Sequence, residues 1–166
     1  MSDNIRSLFA QYWQKGVLID TNILLLYFVG SVNRDRISKF NRTEKFVPED
    51  YDILLEIIRF FPKRVTTPNV LTEVNSLSNQ LGEPERSKCL QIFAASMSLF
   101  DENYVDSRTV VGRSEFVRFG LTDCGILEVT QNQYLVLTDD LKLAVHLQSQ
   151  GIDTVNFNNI RVFNWS

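Results

Sequence analysis

"GVLIDTNILLLYFVG", residues 16–30, decides how the rest of the chain is read. It is an almost unbroken apolar run with Asp20, Thr21 and Asn22 set into it. Burying an unpaired carboxylate costs on the order of several kcal/mol or forces it to neutralise. Three readings compete: a membrane span, a core that tolerates the acid, or the floor of a functional site. A span needs about 20 consecutive apolar residues, and a central Asp opposes insertion by about 3 kcal/mol. Neither apolar segment beside Asp20 is that long. The opening "MSDNIRSLFAQYWQKG" has no basic region followed by an apolar one, so no secretory leader is expected. The expectation is a cytoplasmic chain with no membrane contact.

Length and composition narrow the rest. The 166 residues suffice for one full core, and no repeat, linker or low-complexity run divides them, so a single domain over 1–166 is expected. A hydrophobic content of 44% with 12 Phe fits a globular protein. Cys89 and Cys124 lack metal-ligand spacing and are too few for a disulfide framework; two buried, reduced thiols are expected. The net charge of −3 and pI of 5.2 argue against a polyanionic partner only if the acids are spread evenly. Setting Asp20, Glu73, Asp123, Asp139 and Asp140 aside as one site leaves 15 of the 20 acids against 17 basic residues. A bound divalent cation would then dominate the local field.

Periodicity places these acids. Ile5, Leu8, Phe9, Tyr12 and Trp13 share one helical face, so residues 1–15 read as an amphipathic helix stopped at Gly16. "VLID" reads as a buried strand, and "NILLLYFVG" as a helix too apolar for a surface. The order recurs in "RVTTPNVLTEVNSLSNQLG": a strand around Val65, Thr67 as N-cap, Pro68 at the first helical position, Gly82 at the end. It recurs again in "YLVLTDDLKLAVHLQSQGIDTVNF": a strand at 134–138, a helix from Asp140 to Gln150, a stop at Gly151 and another strand. Residues 31–62 form a longer insertion ending in a helix that carries Ile53, Leu54, Ile57, Ile58 and Phe61. "EPERSKCLQIFAASMSLF" is a further helix; between Tyr104 and Thr130 lie a weak strand, a helix, a turn at Gly120 and a helix opening near Thr122.

Strands alternating with helices imply right-handed crossovers and a mainly parallel sheet covered on both faces, an α/β/α sandwich. Ligands bind such sheets outside the carboxyl ends of the strands. Asp20, Asp139 and Asp140 fall just beyond strand ends, Glu73 within two turns of another, and Asp123 at a helix start. Carboxylates crowded together rise in pKa or separate unless neutralised. Mg²⁺ or Mn²⁺ prefers oxygen ligands and keeps waters whose pKa it lowers, which suits phosphodiester hydrolysis. There is no GxGxxG and no GxxxxGK[ST], so nucleotide binding of those kinds has no support. Asn22 stands where a DxDxT phosphatase needs its second acid, and no Lys stands at the strand end after "YLVLT" as a receiver domain requires. His146, the only His, falls mid-helix with no triad partners in view.

"LIDTN", "TPNVLTEV", "GLTDCGIL" and "LVLTDD" resemble, in family order, the four acidic signatures of PIN-domain nucleases, over Val17 to Phe157. The resemblance implies an α/β/α sandwich with a Mg²⁺ or Mn²⁺ site that cleaves single-stranded RNA, as a toxin of a toxin–antitoxin pair or in RNA processing. By position, Asp20 would be the first metal ligand, with Thr21 and Asn22 orienting it or a water. Glu73 would hold metal or water, Asp123 would be a principal ligand, and Asp139 or Asp140 the last acid, with Thr138 fixing that turn. A protein antitoxin or regulator and a second copy of the chain stand as candidate partners, and the sequence chooses neither.

Plainer readings stand beside these. Asp20, Asp123 and one of Asp139 and Asp140 can serve as helix caps or complement a helix dipole. In "SVNRDRISKFNRTEK", residues 31–45, Arg34, Arg36 and Lys39 with Phe40 would track RNA phosphates and stack a base, or form a solvated loop. The alternative to an endoribonuclease is a non-catalytic PIN-like module whose acids hold a structural ion or regulate a partner.

Overall fold

The computed structural model describes residues 2–131 and 133–162; the remaining ends of the expected 1–166 span, and Asn132, lie outside the described residues. The first half runs α1 (Asp3–Tyr12), β1 (Val17–Ile19), α2 (Thr21–Val32), a 3-10 turn at Arg34–Lys39, α3 (Pro48–Phe60), β2 (Arg64–Thr66) and α4 (Pro68–Ser78). The second runs α5 (Glu85–Ser96), a short 3-10 turn, β3 (Asp101–Glu102), α6 (Ser107–Val111), α7 (Phe116–Thr130), β4 (Leu135–Thr138), α8 (Leu141–Ser149), β5 (Thr154–Asn156) and α9 (Phe157–Val162). All five strands pair in parallel in the order β3-β2-β1-β4-β5. Every residue of β1, β4 and β5 is buried, so helices cover both faces and the fold is a three-layer α/β/α sandwich.

The strand order reverses at β1. From it the chain moves one way to β2 and β3 and the other way to β4 and β5. The crevice between the ends of β1 and β4 is thus the topological switch point. Ile19 pairs with Leu137 there, and the Asp20 N–H donates to the Leu137 carbonyl at 2.9 Å, carrying the ladder one residue further.

Helix α2 is apolar all round because helices surround it; Ile23, Leu24, Leu25, Leu26 and Phe28 are fully buried. It packs against α3, α4 and α5. Gly30 lets α3 approach, since a Cβ there would overlap the Tyr51 ring. Helix α1 lays Ile5, Phe9 and Tyr12 on the domain, with the Phe9 ring 5.2 Å from that of Phe61. Trp13, expected on that face, remains 46% exposed.

Several boundaries move. Helix α3 opens at Pro48 rather than near Ile53, because the Asp50 carboxylate accepts the Val47 N–H at 2.9 Å and closes its first turn. Helix α4 opens at the Thr67 cap and Pro68 as expected but ends at Ser78, before Gly82. The weak strand expected after Tyr104 is the two-residue β3 before it, and α9 was not anticipated. Gly120 does break the helix, with φ 79° and ψ −174°. Cys89 and Cys124 are buried free thiols. No helix among the described residues is long and apolar enough to cross a membrane.

Candidate functional site at the carboxyl edge of the sheet

Asp20 leaves β1 and caps α2, 5% exposed. One carboxylate oxygen accepts the Thr21 N–H at 2.7 Å; the other accepts the Thr138 hydroxyl at 2.6 Å. Burial pushes its pKa up to about 6; the two hydrogen bonds oppose the rise, and Asp139 and Asp140 add to it. Thr138 is a relay between turns, since its oxygen also accepts the Asp140 N–H at 3.0 Å. Asp140 in turn caps α8 by accepting the Leu143 N–H at 3.0 Å. Of the caps of the plainer reading, those of Asp20 and Asp140 are real, while Asp123 lies inside α7 and caps no helix. The two caps leave each carboxylate with lone pairs to spare.

Glu73 reaches the same edge from the second turn of α4. Its oxygens accept the Thr21 hydroxyl at 3.1 Å and the Thr122 hydroxyl at 2.6 Å, tying α2, α4 and α7 together. Asp123 follows Thr122, in the helical stretch that the Gly120 break redirects. Burial pushes its pKa up to about 7, Asp20, Asp140 and Glu73 raise it further, and Lys142 pulls it down. Asp20, Glu73, Asp123 and Asp140 therefore share one electrostatic field.

Asp139 adds to the charge around Asp20 but has a cation of its own. Its side chain is 2% exposed and ion-paired with Lys45, while its other oxygen accepts the Asn22 amide at 3.2 Å. The Asp139 carbonyl accepts the Asn158 amide at 3.0 Å. The doubled "DD" thus splits into one acid neutralised by a lysine and one facing the shared field. Thr122 and Asn158 are contributors that no sequence motif singled out, although Thr122 stands beside Asp123. Lys45 belongs to the basic stretch 31–45, but nothing in the sequence pairs it with Asp139.

The basic segment needs correction. Arg34 pairs with Asp52 and reaches the Pro48 carbonyl at 3.4 Å; Arg36 pairs with Glu85 at 3.0 Å. Lys39 is exposed, but the 3-10 turn rotates Ile37 and Phe40 inward, and Phe40 is only 3% exposed. A ring buried in the core offers no face to a base. From Arg34 to Phe40 the segment is a packed corner of the fold, not an arm.

The donor set is all oxygen and the field is negative, as a hard divalent cation requires. Among the described residues, however, no three acid, His or Cys side chains are gathered closely enough to hold an ion unaided. Mg²⁺ usually binds through one or two carboxylates and keeps several waters. Asp20, Asp123 and Asp140 fit that mode and do not form an all-protein cage. No protein-family model matches the chain, and no curated protein matches it.

Proposed function

We propose that the protein is a metal-dependent endoribonuclease of PIN-like architecture that hydrolyses phosphodiester bonds in single-stranded RNA. One observation carries the reading. Two carboxylates with pKa pushed up to about 6 and about 7 share one field beside the switch point of a parallel sheet, and no lysine or arginine among the described residues is ion-paired with either. Mg²⁺ or Mn²⁺, bound there, would supply an acidified water and offset charge on the phosphoryl group.

The chain's own residues divide the remaining work. Asp20 and Asp123 would hold the ion, with Asp140 as the third acid. Thr138 fixes Asp20 and the turn of Asp140 relative to each other. Glu73, held by two hydroxyls, would orient a water or the ion without moving. Thr21 spends its backbone N–H on Asp20 and its hydroxyl on Glu73, and so sets the distance between those acids. Asp139 is given a different part from the one its motif suggests: with Lys45 and Asn22 on its two oxygens, it braces the insertion.

Incubating single-stranded RNA with Mn²⁺ and the protein tests this reading. Cleavage should leave 5′-phosphate and 3′-hydroxyl ends, because water and not the RNA's 2′-hydroxyl is the nucleophile. Asp20→Asn and Asp123→Asn should each lower the rate by more than roughly 100-fold, beyond what loss of an outer-shell partner costs. Cyclic 2′,3′-phosphate ends, or a wild-type rate in either variant, contradict it. A second reading is a non-catalytic module that regulates a partner; it needs no preformed three-acid cluster, and none is gathered among the described residues. Mn²⁺ binding without cleavage would select it.

A further inference from the structure

Two groups of cations flank the acids: one at the far end of the basic segment 31–45, beyond Arg34, Arg36 and Lys39, and one on α7 and α8. The first lines a groove of about 320 Å³ bounded by Asn22, Asn41, Arg42, Glu44, Lys45 and Leu77. Asn22 and Lys45 join this groove directly to the site through Asp139. Arg42 gives its Nε to Gln80 at 2.8 Å, and it has no ion pair among the described residues, so its terminal nitrogens are left for an anion. Lys45 has three donors and is half exposed, so its bond to Asp139 leaves N–H groups toward the groove. Glu44 is the one carboxylate of the lining, against two cations.

The second group lies on the Asp123 side. Lys142 is in the first turn of α8, two residues after Asp140, and its ammonium donates to the Arg118 carbonyl at 3.5 Å. Lys142 and Arg118 both stand over the Phe119 ring, 5.1 Å and 4.9 Å from its centroid. Neither has a salt bridge among the described residues. Both cations are exposed and each lies close to the Phe119 ring, so a phosphate that meets one is near the other. Compact point charges and free guanidinium forks, next to acids that would repel any polyanion, suit backbone phosphates and carry no base specificity.

We propose that the Arg42–Lys45 groove and the Lys142–Arg118 pair hold phosphates on either side of the scissile bond of one single-stranded RNA. The strand crosses the acidic edge of the sheet and is gripped where the protein is positive. This inference rests on the nuclease reading and assigns its substrate track.

The test is fluorescence anisotropy of a labelled 12-nucleotide single-stranded RNA in EDTA, which prevents cleavage, across a range of KCl concentrations. Arg42→Ala should make the slope of log K against log salt shallower by roughly 0.7, and Arg118→Ala with Lys142→Ala by about 1.4. Lys45→Met with Asp139→Asn removes that pair without leaving a buried charge, and should also flatten the slope by roughly 0.7. Arg34→Ala, whose cation is already paired with Asp52, should leave it unchanged. An unchanged slope in Arg42→Ala or in the Arg118/Lys142 double variant overturns the track, as does failure of the wild type to bind. Cleavage with Mn²⁺, followed in parallel, separates the two proposals. Wild-type cleavage with unaltered slopes removes the track and leaves the nuclease; altered slopes without cleavage do the reverse.

Discussion

Asp50 and Asp20 are both buried aspartates at the start of a helix, and they are compensated in opposite ways. Asp50 is fully buried; it accepts the Val47 N–H at 2.9 Å and pairs with Arg161 at 2.9 Å. Burial pushes its pKa up, and the Val47 N–H and the arginine pull it back. The same guanidinium donates to the Lys45 carbonyl at 2.9 Å, so this node anchors the insertion to α9. Asp20, nearly as buried, receives a hydroxyl and a backbone N–H and is surrounded by other acids. Where a carboxylate serves the fold, this chain brings it a cation. To Asp20 it brings none among the described residues, and that charge is left for something from outside.

The comparison can be broken by removing each acid in turn. Asp50→Ala leaves the Arg161 charge without its partner and the Val47 N–H without its acceptor, and should cost about 3–5 kcal/mol in denaturant unfolding. Asp20→Asn should do the reverse in metal-free protein, leaving stability unchanged or higher at pH 8. A loss comparable to that of Asp50→Ala would place Asp20 among the structural acids.

A pH series sharpens the same contrast. The folded-state pKa of Asp20 is about 6, above an ordinary carboxylate, so the folded chain binds the proton more tightly than the unfolded one. Its burial therefore costs nothing below about pH 4, and stability falls as pH rises from there through about 6 and then levels off. The loss from this group is on the order of 3 kcal/mol. Asp123 extends the fall through about pH 7. In EDTA the protein should be more stable at pH 5 than at pH 8, and Asp20→Asn should flatten the profile. A wild-type profile rising from pH 5 to 8 would show that the acids are compensated from within.

The smallest effect is expected at Gly120, whose φ of 79° and ψ of −174° redirect the helix that presents Asp123. Gly120→Ala should cost about 1–3 kcal/mol through backbone strain, since space for the methyl group is open. Cleavage should fall along with stability if the break sets the position of Asp123.

Much of this was legible in the sequence because it rests on local rules. Period and punctuation reveal buried strands followed by capped helices, and so put Asp20 and Asp140 at strand ends. Thr67–Pro68 and Gly120 act within a few residues of themselves and were readable for that reason. What failed depends on partners distant in the chain. Arg34 and Arg36 look like a free basic arm until Asp52 and Glu85 are folded against them. Phe40 looks like a stacking platform until a 3-10 turn buries it. Asp139 and Asp140 are adjacent and chemically identical; only Lys45, arriving from the insertion, distinguishes them.

Thermal unfolding with and without MnCl₂ tests the central claim most directly, because it detects the ion whether or not RNA is cleaved. At a hundredfold excess over its dissociation constant, an ion bound only by the folded state adds about 2.7 kcal/mol, a rise of roughly 5–10 °C for a chain of this size. Wild type and Asp139→Asn should both show that rise, and Asp20→Asn and Asp123→Asn should lose it. No Mn²⁺-dependent shift in the wild type, or an equal shift in all four proteins, would contradict the account.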